Sequence, residues 1–301
     1  MTPKLLYAAV EAGGTKFVCA VGAHDGRILA RTRIPTDQSG NPQSTIDDCL
    51  AWFREQSAAE GFQFGGLGIG SFGPVDLAAK AIAATPKPGW SGFPLGQRLG
   101  DGLGVPVTLD TDVNAAALAE HLWGAGRDCG TLVYITIGTG IGGGAIIDGR
   151  LLHGSLHPEM GHVRLPRRVG DTPGICPFHG NCWEGLCSGP AIAKRTGIAA
   201  EHLPANHPAW PGIVADIAEG LRAVSCILSP HRIILGGSVP KGGGLGQDGF
   251  FRLVRQALIA SDGGYLPSLA ADRIDDFLVP PELGDDAGIL GSLALAANKT
   301  A

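Results

Sequence analysis

Residues 5–30 read LLYAAVEAGGTKFVCAVGAHDGRILA, and residues 131–152 read TLVYITIGTGIGGGAIIDGRLL. Each stretch opens with an apolar run that meets a glycine turn. The turn is Glu11-Ala12-Gly13-Gly14-Thr15-Lys16 in the first and residues 138–144, GTGIGGG, in the second. A second apolar run follows, then Asp-Gly-Arg (25–27 and 148–150), then a further apolar continuation. Apolar runs bounded by such turns predict antiparallel hairpins. The same hairpin met twice, about 125 residues apart, is an internal repeat and predicts two related α/β domains whose glycine turns face a shared cleft.

The remaining segments fit that plan. Residues 43–60 have helical composition, with Ile46, Leu50 and Phe53 near one face. Short strands are expected at 67–70 and 107–110, and an Ala-rich helix at 113–123. Further on, 188–196, 212–228, 248–260 and 286–297 read as helices, and 232–235 and 276–279 as strands. Segments 85–96 and 166–182, rich in Pro and Gly, are loops long enough to be functional.

With 301 residues, 44% hydrophobic and 17% charged, the chain has the composition of a globular enzyme of one large or two modest domains. A formal charge of −5 disfavours a general nucleic-acid or anionic-membrane binder. No run of about 18 apolar residues suggests a membrane span, and the N-terminus enters a strand pattern rather than a signal peptide. Seven scattered Cys fit reduced thiols, so the cytoplasm is the expected compartment.

Phosphates are commonly held by backbone N–H groups at turns where glycine permits close approach. Gly13, Gly14, Thr15 and Lys16 in one turn, and Gly138, Thr139 and Gly140 in the other, are placed to grip a nucleotide's phosphate chain. Gly236 and Gly237, ending the strand 232–235, would let a nucleoside lie against backbone. None of the three turns has the dinucleotide fingerprint of a strand, G-x-G-x-x-G and a helix, nor the G-x-x-x-x-G-K-[ST] loop. Their joint presence on a duplicated scaffold is what points to a nucleotide.

A third feature is His162–x13–Cys176–x2–His179–x2–Cys182–x–Glu184. Two sulfur and two imidazole donors at these spacings suit one tetrahedral Zn²⁺, with Cys187 and His157 as substitute ligands. Four protein ligands leave no position for a reacting water, so such an ion would be structural.

The hairpins, EAGGTKF (11–17), DTDVNAA (110–116), Pro158-Glu159-Met160-Gly161-His162 and the Cys/His loop with Glu184-Gly185 resemble the ROK family of sugar kinases and regulators. They cover nearly the whole chain in the family's order. Within the family, EAGGTKF, ATPKPGW (84–90) and CPFHGNCWEG (176–185) are most similar to the bacterial fructokinases. The resemblance implies two actin-like (ribonuclease-H-like) domains flanking a nucleotide and sugar cleft. The expected division is 1–115, rejoined by the C-terminal helix 286–301, and 116–285. ATP, Mg²⁺, a hexose substrate and a homodimer are implied with it.

Sugar phosphorylation needs a base for the attacking hydroxyl and cationic or N–H stabilisation of the phosphates. Asp112 aligns with the family's catalytic aspartate; Asp110 is its rival, and helix capping is the alternative role for either. Thr111 stands where most family members carry Asn, and is expected at the sugar together with Gly73, in the segment resembling the family's first sugar-side loop. Glu159 and Glu184 are the expected acceptors of sugar hydroxyls, since carboxylates accept several charge-assisted hydrogen bonds. They lie three residues before His162 and two after Cys182, so a structural Zn²⁺ would fix both. Glu11, where much of the family has Asp, is expected to orient Mg²⁺ through water. Residues 85–90 read as a rigid loop at the cleft mouth, with no catalytic atom assigned. A sugar-responsive repressor, which needs an N-terminal DNA-binding segment ahead of the first turn, and a zinc hydrolase, which needs an open coordination position, are less expected than an ATP-dependent kinase of fructose. Glucose, mannose or an N-acetylated hexosamine are alternative acceptors.

Overall fold

The computed structural model describes residues 5–167 and 170–297. In chain order the strands are β1 (Leu5–Ala12), β2 (Lys16–Gly22), β3 (Ile28–Pro35), β4 (Gln63–Ser71), β5 (Val75–Asp76), β6 (Ala81–Ile82), β7 (Val107–Thr111), β8 (Thr131–Ile137), β9 (Ile141–Ile147), β10 (Arg150–Leu151), β11 (Arg232–Gly236) and β12 (Leu278–Val279). The helices are α1 (Pro42–Glu60), α2 (Leu95–Leu103), α3 (Asp112–Trp123), α4 (Trp183–Cys187), α5 (Gly189–Thr196), α6 (Trp210–Leu228), α7 (Gly246–Asp262), α8 (Ile274–Phe277) and α9 (Ala287–Ala296).

The repeat seen in the sequence is a repeat of topology. One sheet has the order β3-β2-β1-β4-β7 and the other β10-β9-β8-β11-β12. In the first, β1 pairs antiparallel with β2 and parallel with β4. In the second, β8 pairs antiparallel with β9 and parallel with β11. Each sheet is mixed because a hairpin begins it and helical crossovers extend it.

The second glycine turn is shorter than its sequence suggests. Gly142, Gly143 and Gly144 are strand residues, paired with Thr136, Ile135 and Tyr134. Only Gly138-Thr139-Gly140 turns, matching the three residues Gly13-Gly14-Thr15 between β1 and β2. Gly143 is glycine for packing: a Cβ there would lie 2.5 Å from the Met160 sulfur. A second difference concerns the expected strand 276–279, of which only Leu278–Val279 is extended. Asp275 and Asp276 sit in the first turn of α8, where the helix dipole favours acids.

The chain divides into two compact units, residues 1–127 with 149–157 and 285–301, and residues 128–148 with 158–284. Helix α3 therefore lies wholly in the first unit rather than straddling residue 115. In that unit α9 packs on β4 and α3, and small residues make the approach possible. A Cβ at Gly68 would fall 1.8 Å from the Ser292 carbonyl, and one at Gly291 1.8 Å from the Ala115 carbonyl. On the sheet's other side Ile46, Cys49, Leu50 and Phe53 of α1 are buried with Phe17, Leu67, Ile69 and Trp90. Among the described residues no helix is long and apolar enough to cross a membrane.

Candidate active site and metal loop

The turn between β1 and β2 is held from outside. Thr36 donates its hydroxyl to the Gly13 carbonyl at 2.8 Å, and Gln38 its amide to the Gly14 carbonyl at 3.0 Å. The Gly13 N–H is spent within the turn, on the Lys16 carbonyl at 3.0 Å. Thr15 and Lys16 are exposed. Fixing the carbonyls on one side orients this backbone, as an anion-binding turn requires.

The structure separates the two rival aspartates. Asp110 is buried, and both its oxygens are engaged. Oδ1 accepts from the Thr111 N–H and the Asn114 amide, each at 2.7 Å, while Oδ2 meets His153 Nε2 at 2.8 Å. That hydrogen bond raises the His153 pKa, against the opposing effect of burial. Thr111 is the N-cap of α3, its hydroxyl accepting from the Asn114 N–H at 3.1 Å. Asp112 occupies the first helical position, half-buried, with Oδ1 accepting from the Val113 N–H at 2.9 Å. Capping thus belongs to Thr111 and the buried network to Asp110. His153 was not singled out in the sequence; only the fold brings residue 153 to residue 110.

Glu11 sits at the end of β1 with its carboxylate against the start of α9, where a Gly288 Cβ would lie 2.6 Å from Oε1. Burial raises its pKa to about 7, and the negative charges of Asp112, Asp286 and Asp285 add to the rise while Lys16 opposes it. A carboxylate so placed gains from a cation.

In the second unit the four expected metal donors converge. One ligand atom from each of His162, Cys176, His179 and Cys182 lies within 4.8 Å of all the others. The Cys176 sulfur is 3.9 Å from His162 Nδ1 and 3.7 Å from His179 Nδ1, and the Cys182 sulfur is 3.6 Å from His162 Nδ1. A tetrahedral ion held by thiolate and imidazole has ligand–ligand edges of about 3.3–3.8 Å. The donor set therefore fits such an ion with little rearrangement. Neither Cys187 nor His157 is in the group. Cys187 is fully buried, which pushes its thiol well up, and His157 Nε2 accepts from the Val75 N–H at 3.2 Å, beside Gly73.

Local backbone structure brings the ligands together. Cys176 and Gly180 exchange N–H···O bonds, and Cys182 bridges to Arg164, next to the turn Met160–His162. Burial raises the Cys182 thiol to about 11, with a modest opposing effect from the Gly185 N–H, so an ion must displace its proton. Glu159 Oε2 lies 3.8 Å from His162 Nε2, the ring nitrogen facing away from the sulfurs.

Glu184 does more than its sequence position suggests. Its Oε2 accepts the Ile141 N–H at 2.9 Å and would touch a Gly140 Cβ at 2.6 Å. The Cys/His loop is thereby tied to the second glycine turn. That turn is further fixed by Gly189, whose N–H donates to the Gly138 carbonyl at 2.7 Å. Ser238 faces Gly138, with Oγ 3.7 Å from where a Cβ would be. Gly237, at φ +97°, admits no side chain, because a Cβ would fall 2.3 Å from the Ile137 carbonyl. Gly138, Thr139, Gly140, Gly236 and Gly237 thus form one backbone surface at the ends of β8 and β11.

The ROK family model matches residues 7–299. The chain belongs to the ROK family. A protein of Bacillus subtilis (strain 168) is 44% identical over 298 residues, covering 97% of this chain and 95% of its own. The fructokinase of Pediococcus pentosaceus is 39% identical over 300 residues, covering 97% and 98%. Among solved structures, the ROK hexokinase of Thermus thermophilus matches with a TM-score of 0.80 at 27% identity, covering 97% of each chain. A ROK family glucokinase from Streptomyces griseus, in complex with glucose and AMPPNP, matches at 0.77 and 28%, covering 98% of this chain and all of its own. The fold is the two-domain actin-like fold of these ROK sugar kinases.

Proposed function

We propose that this protein is an ATP-dependent hexose kinase that converts D-fructose to D-fructose 6-phosphate. The observation that carries the chemistry is the division of labour at the end of β7. Thr111 caps α3 and Asp110 is locked to Asn114 and His153, which leaves Asp112 as the acid at the helix entry suited to accept a proton. As the sugar oxygen attacks the terminal phosphorus, Asp112 takes the hydroxyl proton. Phosphate contacts fall to backbone N–H groups of the turns 13–16 and 138–140 other than those of Gly13 and Gly138, which are spent on the Lys16 and Gly140 carbonyls, and the surface at Gly236 and Gly237 takes the nucleoside. Glu11 would orient a nucleotide-bound Mg²⁺ through water, and the ion would offset charge on the phosphates.

Glu159 and Glu184 accept hydrogen bonds from sugar hydroxyls, and the Gly73 segment and Thr111 are further sugar contacts. His162, Cys176, His179 and Cys182 would hold a structural Zn²⁺, which would supply order to the loop between the two glutamates. The 3.8 Å approach of Glu159 to His162 Nε2 supports that support role.

The choice of fructose is supported by the likeness to fructokinases such as that of Pediococcus pentosaceus. Glu11, Thr111 and a His-containing Cys loop, found together here, agree with that preference. A homodimer in the cytoplasm is the assembly and compartment that family membership suggests. The product tests the assignment: incubation with Mg²⁺-ATP and fructose should give a hexose 6-phosphate by ³¹P NMR, and a 1-phosphate or no new phosphate ester would refute it.

A further inference from the structure

The loop at residues 85–90 carries a cation aimed at the phosphate turn. A Cβ built at Gly14 would lie 2.9 Å from Lys87 Cε and 3.0 Å from its Nζ. Glycine at position 14 is thus what makes room for the ammonium. The same Nζ stands 4.7 Å from the centre of the Phe72 ring, in the segment Gly70-Ser71-Phe72-Gly73. Lys87 therefore sits between the turn proposed to hold the donor's phosphates and the loop proposed to hold the sugar. Both belong to the first unit, so this placement is internal to one body. Among the described residues no carboxylate pairs with this ammonium.

The position is built rather than incidental. Pro86 and Pro88 flank Lys87 and restrict the backbone on both sides. The Lys87 carbonyl accepts the Trp90 N–H at 3.2 Å. Trp90 is fully buried, packs on Phe17, Phe72 and Phe93, and donates its indole N–H to the Asp37 carbonyl at 3.0 Å. A lysine on such a base loses little conformational freedom when a ligand arrives. Lys16, the other lysine of the turn, is exposed.

We propose that Lys87 is a catalytic residue: its ammonium binds the phosphoryl group in transit from nucleotide to sugar. This rests on the kinase assignment above and adds to it a side-chain cation for the transferred group. Charge on the transferred group's oxygens is what an enzyme of this class must neutralise, and an ammonium fixed beforehand does so without reorganisation at the moment of reaction. The Phe72 ring face holds the ammonium itself, 4.7 Å from the ring centre. Lys87 would touch the nucleotide's third phosphate and the phosphate of the product, but not the free sugar.

The test compares wild type with Lys87→Met and Lys87→Gln, which keep a stem without the charge, and with Lys87→Arg. ADP release at saturating fructose should fall in both neutral variants by about 10²-fold, the size typical of losing one preorganised stabilising group. KM for fructose should change by less than about threefold. Lys87→Arg should recover tenfold or more of the loss. Calorimetry with Mg²⁺-AMPPNP and Mg²⁺-ADP then reads the contact itself. The preference for triphosphate over diphosphate should drop at least tenfold in Lys87→Met. A neutral variant within tenfold of wild-type turnover would overturn the proposal. So would equal loss of affinity for both nucleotides, or a sugar KM that rises as far as turnover falls, since these mark a packing role. A wild-type protein that phosphorylates no hexose counts against the kinase assignment instead, while the nucleotide preference still reports on Lys87.

Discussion

Asp110 Oδ2 and His153 Nε2 meet at 2.8 Å, and this contact separates two acids that their sequence, DTD, leaves alike. Asp110 is a buried anchor for Asn114, for the Thr111 backbone and for His153. Asp112→Asn should therefore lower kcat by about 10²-fold or more while nucleotide binding survives. Asp110→Asn should act on stability, at about 1–3 kcal/mol for a disrupted buried hydrogen-bonded group, and cost less turnover than Asp112→Asn. Steady-state kinetics with denaturant melts of both variants check this; a dead Asp110→Asn beside an active Asp112→Asn would reverse the roles.

The same pair predicts a pH dependence of stability. Asp110 raises the His153 pKa in the folded state. Its stabilisation is thus fully present below the unfolded value, about 6.5, and is lost as pH rises through the folded value. Melting temperatures of wild type and His153→Gln should differ most at acidic pH and converge as pH rises. A constant gap would show that the ion pair contributes through its shape alone.

Glu11 shifts stability with pH in the same direction, but through a proton held against burial rather than through an ion pair. Its pKa of about 7, raised mainly by burial, means that the folded chain holds a proton that the unfolded chain has released. Stability should therefore fall as pH climbs from about 4.5 to 7. Glu11→Gln should raise the melting temperature above pH 7, have no such effect below pH 4, and increase the Mg²⁺ concentration needed for half-maximal rate. An unchanged Mg²⁺ titration would remove Glu11 from the metal side.

The metal loop gives a compositional prediction. Purified protein should contain one zinc per chain by elemental analysis. Cys176→Ser should reduce that content and lower kcat/KM for the sugar by about tenfold or more, because the anchor of Glu159 and Glu184 is weakened. A metal-free protein with full activity would contradict it.

Much of this was legible in the sequence for physical reasons. The hairpins announced themselves because glycine turns between apolar runs are local signals, and the repeat carried through to the order of both sheets. The convergence of His162, Cys176, His179 and Cys182 was legible because donor spacing within one short loop limits where the donors can go. The strand pairing of Gly142–Gly144 was not, because their glycines answer to Met160 and β8 rather than to a turn. Nor were the contacts of His153 with Asp110, Glu184 with the Ile141 N–H, and Lys87 with Gly14. Each joins segments more than 40 residues apart, where no periodicity or spacing reaches.

ADP release measured over D-fructose, D-glucose, D-mannose and N-acetylhexosamines, with Mg²⁺-ATP and zinc-replete protein, tests the central claim most directly. ADP should form only when a hexose is present, with kcat/KM highest for fructose, by a factor of tens over glucose or about 2 kcal/mol in transition-state binding. No hexose-dependent ADP release from folded protein would contradict the kinase assignment, and a clear lead for glucose or mannose would contradict the choice of fructose.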